Sequence, residues 1–218
     1  MTLEPVRQQV AAVSRRLAAD GLVLGTAGNV SARQGDQVAI TPTGAVLSEV
    51  EAGDVSVVDL DGGQLAGGLA PTSELDLHLG VYNRYDAGAV VHTHAPMATA
   101  LACVIDEVPC VHYGMLALGG SVRVAPYATY GTPELANVVL DALEGRRAAL
   151  MANHGAIVYA EDLDGALELA LLLEWACAVY WRAATIGEPR VLDQQQLDAV
   201  VARAIAGGYG STRSIEDD

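Results

Sequence analysis

Residues 89–96 read Ala-Val-Val-His-Thr-His-Ala-Pro. A β-branched apolar run enters a polar pair and ends at a proline, which suits the first turn of a helix and not the middle of a sheet. A strand over 89–94 with a helix over 96–103 behind it sets the fold class, because both flanks repeat that alternation. Upstream, Val6, Val10, Val13 and Leu17 follow helical spacing and Gly21 supplies a stop, giving a helix over 4–19. Residues 25–33 form a glycine- and polar-rich stretch, 38–40 a short strand running into a turn at 41–44, and 55–60 another strand. Residues 71–74 open a helix reaching about Tyr85, with Ser73 as its N-cap and Asp76 three residues on. Downstream come a helix over 133–143, a strand over 148–152 broken by Asn153-His154-Gly155, and strand character again over 157–159. Helices over 162–184 and 194–205 follow. Alternating strands and helices predict an α/β sandwich. No composition break divides the chain, so one domain over 1–206 is expected, with a mobile tail over 207–218.

Hydrophobic residues make up 51% of the 218-residue chain and charged ones 18%, enough for a sizeable core. The formal charge of −15 argues against nucleic acid or an anionic membrane as partner. An anionic substrate would have to be met by backbone N–H groups or a metal. The N-terminus has neither a basic region nor an apolar run of the secretory type. Residues 166–181 are the most apolar segment, but they carry Glu168 and Glu174 and are too short to span a bilayer, so they read as a buried helix. Cys103, Cys110 and Cys177 form no C-x-x-C, which suits a reducing cytoplasm.

In a strand, residues i and i+2 share a face, so His92 and His94 present two imidazoles side by side and Thr93 points away. Alone, the pair leaves two readings open: metal ligands, or two polar side chains where a strand leaves the core. His154 also lies where a strand ends. Three protein ligands with an open position are the catalytic form of a zinc site, and no cysteine lies near to close a structural one. His78, mid-helix, and His112, beside Tyr113, are read as structural or supporting. Glu74 in a first helical turn is either a dipole partner on a solvated face or a carboxylate at the metal, as ligand or as general base. The loops holding Gly28 and Asn29, Thr43 and Gly44, and Thr72 and Ser73 offer hydroxyls and backbone N–H groups that can cradle a phosphate without lysine or arginine. Each could equally be an ordinary turn.

Taken together and in order, GTAGNVSAR (25–33), ITPTG (40–44), PTSE (71–74), AVVHTHAP (89–96), PCVHYGMLALGG (109–120), APYATYGTPELA (125–136) and NHG (153–155) resemble the class II aldolase and sugar-phosphate epimerase family. The resemblance implies a three-layer α/β/α sandwich around a mixed, mostly antiparallel sheet, usually assembled as a homotetramer. It makes His92, His94 and His154 zinc ligands. Glu74 would complete the resting coordination and become the acid/base. Gly28, Asn29, Thr43, Gly44, Thr72 and Ser73 would bind a substrate phosphate, Tyr113 would reach a neighbouring subunit's site, and Tyr209 would contribute from the tail. The implied reaction is reversible cleavage of a phosphorylated ketose such as L-fuculose 1-phosphate to dihydroxyacetone phosphate and an aldehyde, through an enediolate. The chain contains no lysine, so a Schiff-base aldolase is excluded. An epimerase or dehydratase on the same frame, or a non-catalytic module like the adducin head, are the alternatives.

Overall fold

The computed structural model describes residues 3–207; of the expected tail, Gly207 closes the last helix, and residues 208–218, Tyr209 among them, lie outside the described residues. The elements run α1 (Glu4–Ala19), β1 (Asn29–Gln34), β2 (Gln37–Ile40), β3 (Ser56–Asp59), β4 (Gln64–Ala66), α2 (Leu75–Arg84), β5 (Ala89–Thr93), α3 (Pro96–Ala102) and β6 (Glu107–Val108). A 3-10 turn (Tyr113–Leu118) follows, then β7 (Val122–Ala125), α4 (Pro133–Ala142), β8 (Ala148–Met151), β9 (Gly155–Ala160), α5 (Leu163–Ile186) and α6 (Gln194–Gly207).

The strands form one nine-stranded sheet in the order β4-β3-β2-β1-β5-β9-β8-β7-β6. Every neighbouring pair is antiparallel except β7 with β8, which are parallel and joined through α4. Period-2 alternation divides the core between the two faces. Val91, Leu150 and Val158 pack with Val10, Ala98 and Leu173 from α1, α3 and α5. Val90, Ala149 and Ile157 pack with Leu77, Val81, Leu135 and Val139 from α2 and α4. Helices therefore cover both faces, the expected three-layer sandwich with a mixed, mostly antiparallel sheet. α5 is long and apolar enough to cross a membrane by length and composition. Its Ala166, Leu169, Leu173, Ala176 and Cys177 are buried against the sheet, and a core helix passes the same test.

Two local expectations are corrected. Residues 29–33, expected as part of a polar loop, belong to β1. Asn29 and Ser31 look like loop residues, yet both are buried and point at partners on α2, while Val30 and Ala32 enter the opposite core. Ser73 is not an N-cap: α2 starts at Leu75, with Glu74 in the cap position and no side-chain cap. The Glu74 side chain is engaged elsewhere, as described below. The short strands β4, β6 and β7 carry too little pattern to be read from sequence.

Central burial should dominate stability. Leu150, fully buried in β8, truncated to Ala is expected to cost about 2–5 kcal/mol. Breaking the exposed Arg84–Asp141 ion pair (2.8 Å) by Arg84→Ala should leave the urea midpoint near that of the parent. Comparable midpoint shifts for the two variants would contradict this.

Candidate metal centre and active site

The histidines meet where the two halves of the sheet join. His92 lies in β5, directly opposite Asn29 of β1 on one side and Ile157 of β9 on the other. His94 follows the strand, its N–H donating to the Leu22 carbonyl (3.1 Å). Beyond it, the Glu174 carboxylate of α5 accepts from the N–H groups of Met97 and Ala98 (2.9 Å each), fixing the start of α3. His154 ends the three-residue connection between β8 and β9. That turn requires a left-handed residue, supplied by Asn153 at φ 56°, a conformation asparagine tolerates better than most. Gly155 then lets the strands close: a Cβ there would stand 2.3 Å from the Thr93 carbonyl and 3.2 Å from both the His92 and His94 rings.

The ligand nitrogens of His92, His94 and His154 lie within 4.8 Å of one another, and the three could hold a metal ion. Two donors on a tetrahedral zinc, each about 2.1 Å from it, stand about 3.4 Å apart. Here His94 Nε2 is 3.0 Å from His92 Nε2, and His154 Nε2 is 3.4 Å from Glu74 Oε1. His92 Nδ1 donates to the Ala156 carbonyl (2.9 Å), so its Nε2 presents a lone pair to the centre. That lone pair faces Glu74 Oε2 at 3.2 Å, an acceptor against an acceptor, which a cation between them would relieve. Glu74 Oε1 is buried with no hydrogen-bond partner. The donor set, the fixed tautomer and the orphaned oxygen all fit a divalent ion.

Burial pushes the Glu74 carboxyl up, but His92, the Asn29 amide and His154 outweigh it and hold the group below the usual carboxylate range. Burial, reinforced by the positive potential of its neighbours, pushes His94 and His154 down to about 4. Both are therefore neutral at pH 7, the state a metal ligand requires.

Beside the histidines lies a cleft of about 410 Å³. Gly28, Asn29, Thr43, Gly44, Thr72, Ser73, Glu74, His94 and His154 all contribute to its walls, so the structure brings these sequence-predicted residues together. Among the described residues the lining contains no lysine or arginine. Backbone bonds clasp the loops: Thr43 N to Ala70 O (3.0 Å) and Thr72 N to Thr41 O (3.1 Å), beside a Pro42–Pro71 bridge. Gly28 sits at φ 84°, and a Cβ there would strike the His92 carbonyl at 2.8 Å. The Asn29 side chain is buried, and both amide hydrogens are used, on Glu74 Oε2 (2.8 Å) and Thr72 Oγ1 (3.1 Å).

Tyr113 is not among the cleft-lining residues of its own chain; it lies exposed on the 3-10 turn, stacked on His112 (centroids 4.4 Å). His112 accepts from Gly114 N–H and abuts Trp175, a supporting role. Sequence reasoning missed Tyr127 and Tyr130, exposed aromatics of the cleft wall, and Asn153. The two tyrosines stood inside APYATYGTPELA, but no spacing rule singles them out. Tyr209 lies outside the described residues.

Removing one imidazole should disable the centre. His154→Ala is expected to lower zinc affinity by more than the 10–100-fold typical of losing a supporting partner, read by chelator competition. In the parent chain, zinc at one hundred times its Kd should add about 2.7 kcal/mol of stability, reversed by EDTA. Equal affinity in parent and variant would contradict the assignment.

The sequence profile described as "Class II Aldolase and Adducin N-terminal domain" matches residues 8–181. The 5-deoxy-D-ribulose 1-phosphate aldolase of Bacillus thuringiensis serovar kurstaki is 37% identical over 96% of this chain and 99% of that protein. The 5-methylthioribulose-1-phosphate/5-deoxyribulose-1-phosphate aldolase of Rhodospirillum rubrum is 40% identical over 87% and 86%. Among solved structures, an L-fuculose 1-phosphate aldolase superposes with a TM-score of 0.88 at 37% identity, covering 91% of this chain and 95% of that one. On the profile match, these identities and the shared fold, the chain belongs to the class II aldolase and adducin N-terminal domain family.

Proposed function

We propose that the protein is a zinc-dependent aldolase that reversibly cleaves a ketose 1-phosphate to dihydroxyacetone phosphate and an aldehyde. The observation that carries this reading is the buried, unpartnered Glu74 Oε1, set among three imidazoles in a polar cleft. An interaction module would gain nothing from such a group. Zinc held by His92, His94 and His154 would polarise the ketose carbonyl and favour negative charge developing beside it.

The chain's own groups supply the rest. In the synthetic direction the Glu74 carboxylate takes a proton from C3 of dihydroxyacetone phosphate, and the aldehyde oxygen gains one, from Tyr113 or water, as the C3–C4 bond forms. In cleavage the C4 hydroxyl gives its proton back to that group as the bond breaks, and protonated Glu74 delivers one to C3. The phosphate is received by Gly28, Thr43, Gly44, Thr72 and Ser73 through hydroxyls and backbone N–H groups, close to the N-terminus of α2. Thr72 Oγ1 already accepts from Asn29 and from Glu74 N–H, which leaves its own hydrogen to donate. Asn29 thus serves the cradle by orienting that hydroxyl. Tyr113 acts across a subunit interface, in a homotetramer favoured by exposed apolar residues such as Trp175 and Trp181 on α5. The three unpaired cysteines suit a cytoplasmic setting. Since two of the relatives described above are named for 5-deoxyribulose 1-phosphate, that ketose leads the substrate panel, with L-fuculose 1-phosphate next.

Zinc-loaded protein should release dihydroxyacetone phosphate from at least one of these ketose 1-phosphates, read by a coupled dehydrogenase assay. NMR of the products separates cleavage from epimerisation or water loss, and either of the latter without cleavage overturns the aldolase reading. Glu74→Gln is expected to lower kcat by about 10²–10⁴-fold. Mixing Glu74→Gln subunits with Tyr113→Phe subunits should recover part of the lost activity if Tyr113 acts in trans; no recovery in a verified mixed oligomer would place it elsewhere.

A further inference from the structure

His78 is a buried, titratable side chain that the mechanism above leaves unused. It lies in α2 with no exposed surface, and both ring nitrogens are occupied. Nδ1 is 2.7 Å from Ser31 Oγ, and Nε2 is 2.5 Å from Asn29 Oδ1. Ser31 Oγ is in turn 2.7 Å from the Tyr82 hydroxyl, also buried. Glu74, His78 and Tyr82 are spaced i, i+4, i+8, so one stripe of α2 and its entry faces one side of β1, where Asn29 and Ser31 share a face. The result is a polar ladder inside a layer otherwise packed with leucine and valine.

The direction of every proton in that ladder follows from its ends. The Glu74 carboxylate can only accept, so the Asn29 amide must turn its nitrogen toward Oε2 and its carbonyl toward His78. A carbonyl opposite His78 Nε2 demands a proton on that nitrogen. Nδ1 is then bare and accepts from Ser31, whose oxygen accepts from Tyr82. The opposite tautomer would set Nε2 and Oδ1 lone pair against lone pair in a dry core, leaving both groups buried and unsatisfied. Wholly buried and, among the described residues, with no carboxylate against its ring, the imidazole acts as a fixed dipole.

We propose that His78, as the Nε2–H tautomer, is a positioning residue: it locks the Asn29 amide, which holds Glu74 Oε2 and so presents Oε1 to the histidine centre. This rests on the reading of the three histidines as metal ligands, but not on which sugar phosphate is cleaved. Removing the lock frees the amide to rotate and the carboxylate to leave the centre.

The two nitrogens can be tested separately. Glutamine reaches about as far as Nε2 and can donate to Asn29, whereas asparagine replaces only Nδ1 toward Ser31. In the metal-free protein, a long-range ¹H–¹⁵N spectrum should show His78 protonated at Nε2; a proton on Nδ1 overturns the proposal. With metal, His78→Asn and His78→Leu should weaken Co(II) or zinc by about 10–100-fold in chelator competition and alter the Co(II) visible spectrum. His78→Gln should stay close to the parent. On an Asn29→Ala background, the asparagine substitution should have little further effect, because its influence passes through Asn29. Once a cleaved substrate is in hand, kcat should follow the same order with KM unchanged.

Affinities that track melting temperature alone, a glutamine variant as impaired as the asparagine one, or an undiminished effect without Asn29 would each overturn it. If the parent binds metal and the variants order as stated, the positioning role stands even where every ketose phosphate fails. A parent that binds no metal sinks the shared premise instead.

Discussion

A carboxylate and three imidazoles crowded within hydrogen-bond distance at the wall of a cleft set acceptor against acceptor, as His92 Nε2 does against Glu74 Oε2, unless a positive charge stands among them. That electrostatic constraint organises much of what surrounds it. His92 donates one nitrogen to a backbone carbonyl so that the other is free, and burial keeps His94 and His154 neutral. The Asn29 amide restrains the carboxylate from behind. None of these is a large stabilising term; the sheet and its two apolar layers supply the stability. What the polar groups contribute is a single arrangement that a cation completes.

The same economy governs the phosphate side. A chain with a formal charge of −15 and, among its described residues, no lysine or arginine lining its cleft would have to receive an anion with dipoles. The loops at Gly28, Thr43–Gly44 and Thr72–Ser73, proposed above as the phosphate cradle, are already held in place by backbone bonds, so their N–H groups would not need to be reoriented on binding. The Asn29 amide bonds both the Thr72 hydroxyl and the Glu74 carboxylate, which ties the proposed phosphate cradle to the proposed acid/base group.

How much of this was legible in sequence depended on how local the signal was. The first helix, the strand carrying His92 and the long α5 were readable because their apolar residues recur at the period of one element. The three histidines were readable because each ends an apolar run. The strand at Asn29–Gln34 was not, since Asn29 and Ser31 are polar for the sake of α2, far away in the chain. For the same reason His78 was legible only as a structural or supporting residue: its partners come from a ladder of contacts between residues 47 to 51 positions apart. The cap at Ser73 failed because α2 starts one residue later, with Glu74 in the cap position and its side chain turned to Asn29 and the histidines and not to the helix end. Tyr127 and Tyr130 come to the cleft through tertiary packing alone, which no periodicity encodes.

The order of strands carries a consequence for how the molecule comes into being. β1 to β5 occupy one side of the sheet and β6 to β9 the other, and the histidines straddle the seam between β5 and β9. A nascent chain that has emerged only as far as α3 already holds two imidazoles and the carboxylate, yet cannot close the trio. The third imidazole arrives with the β8–β9 turn and docks only when β9 pairs beside β5. An ion gripped by all three imidazoles would therefore require the β5–β9 seam to be closed, a clasp on a finished sheet and not a seed for it.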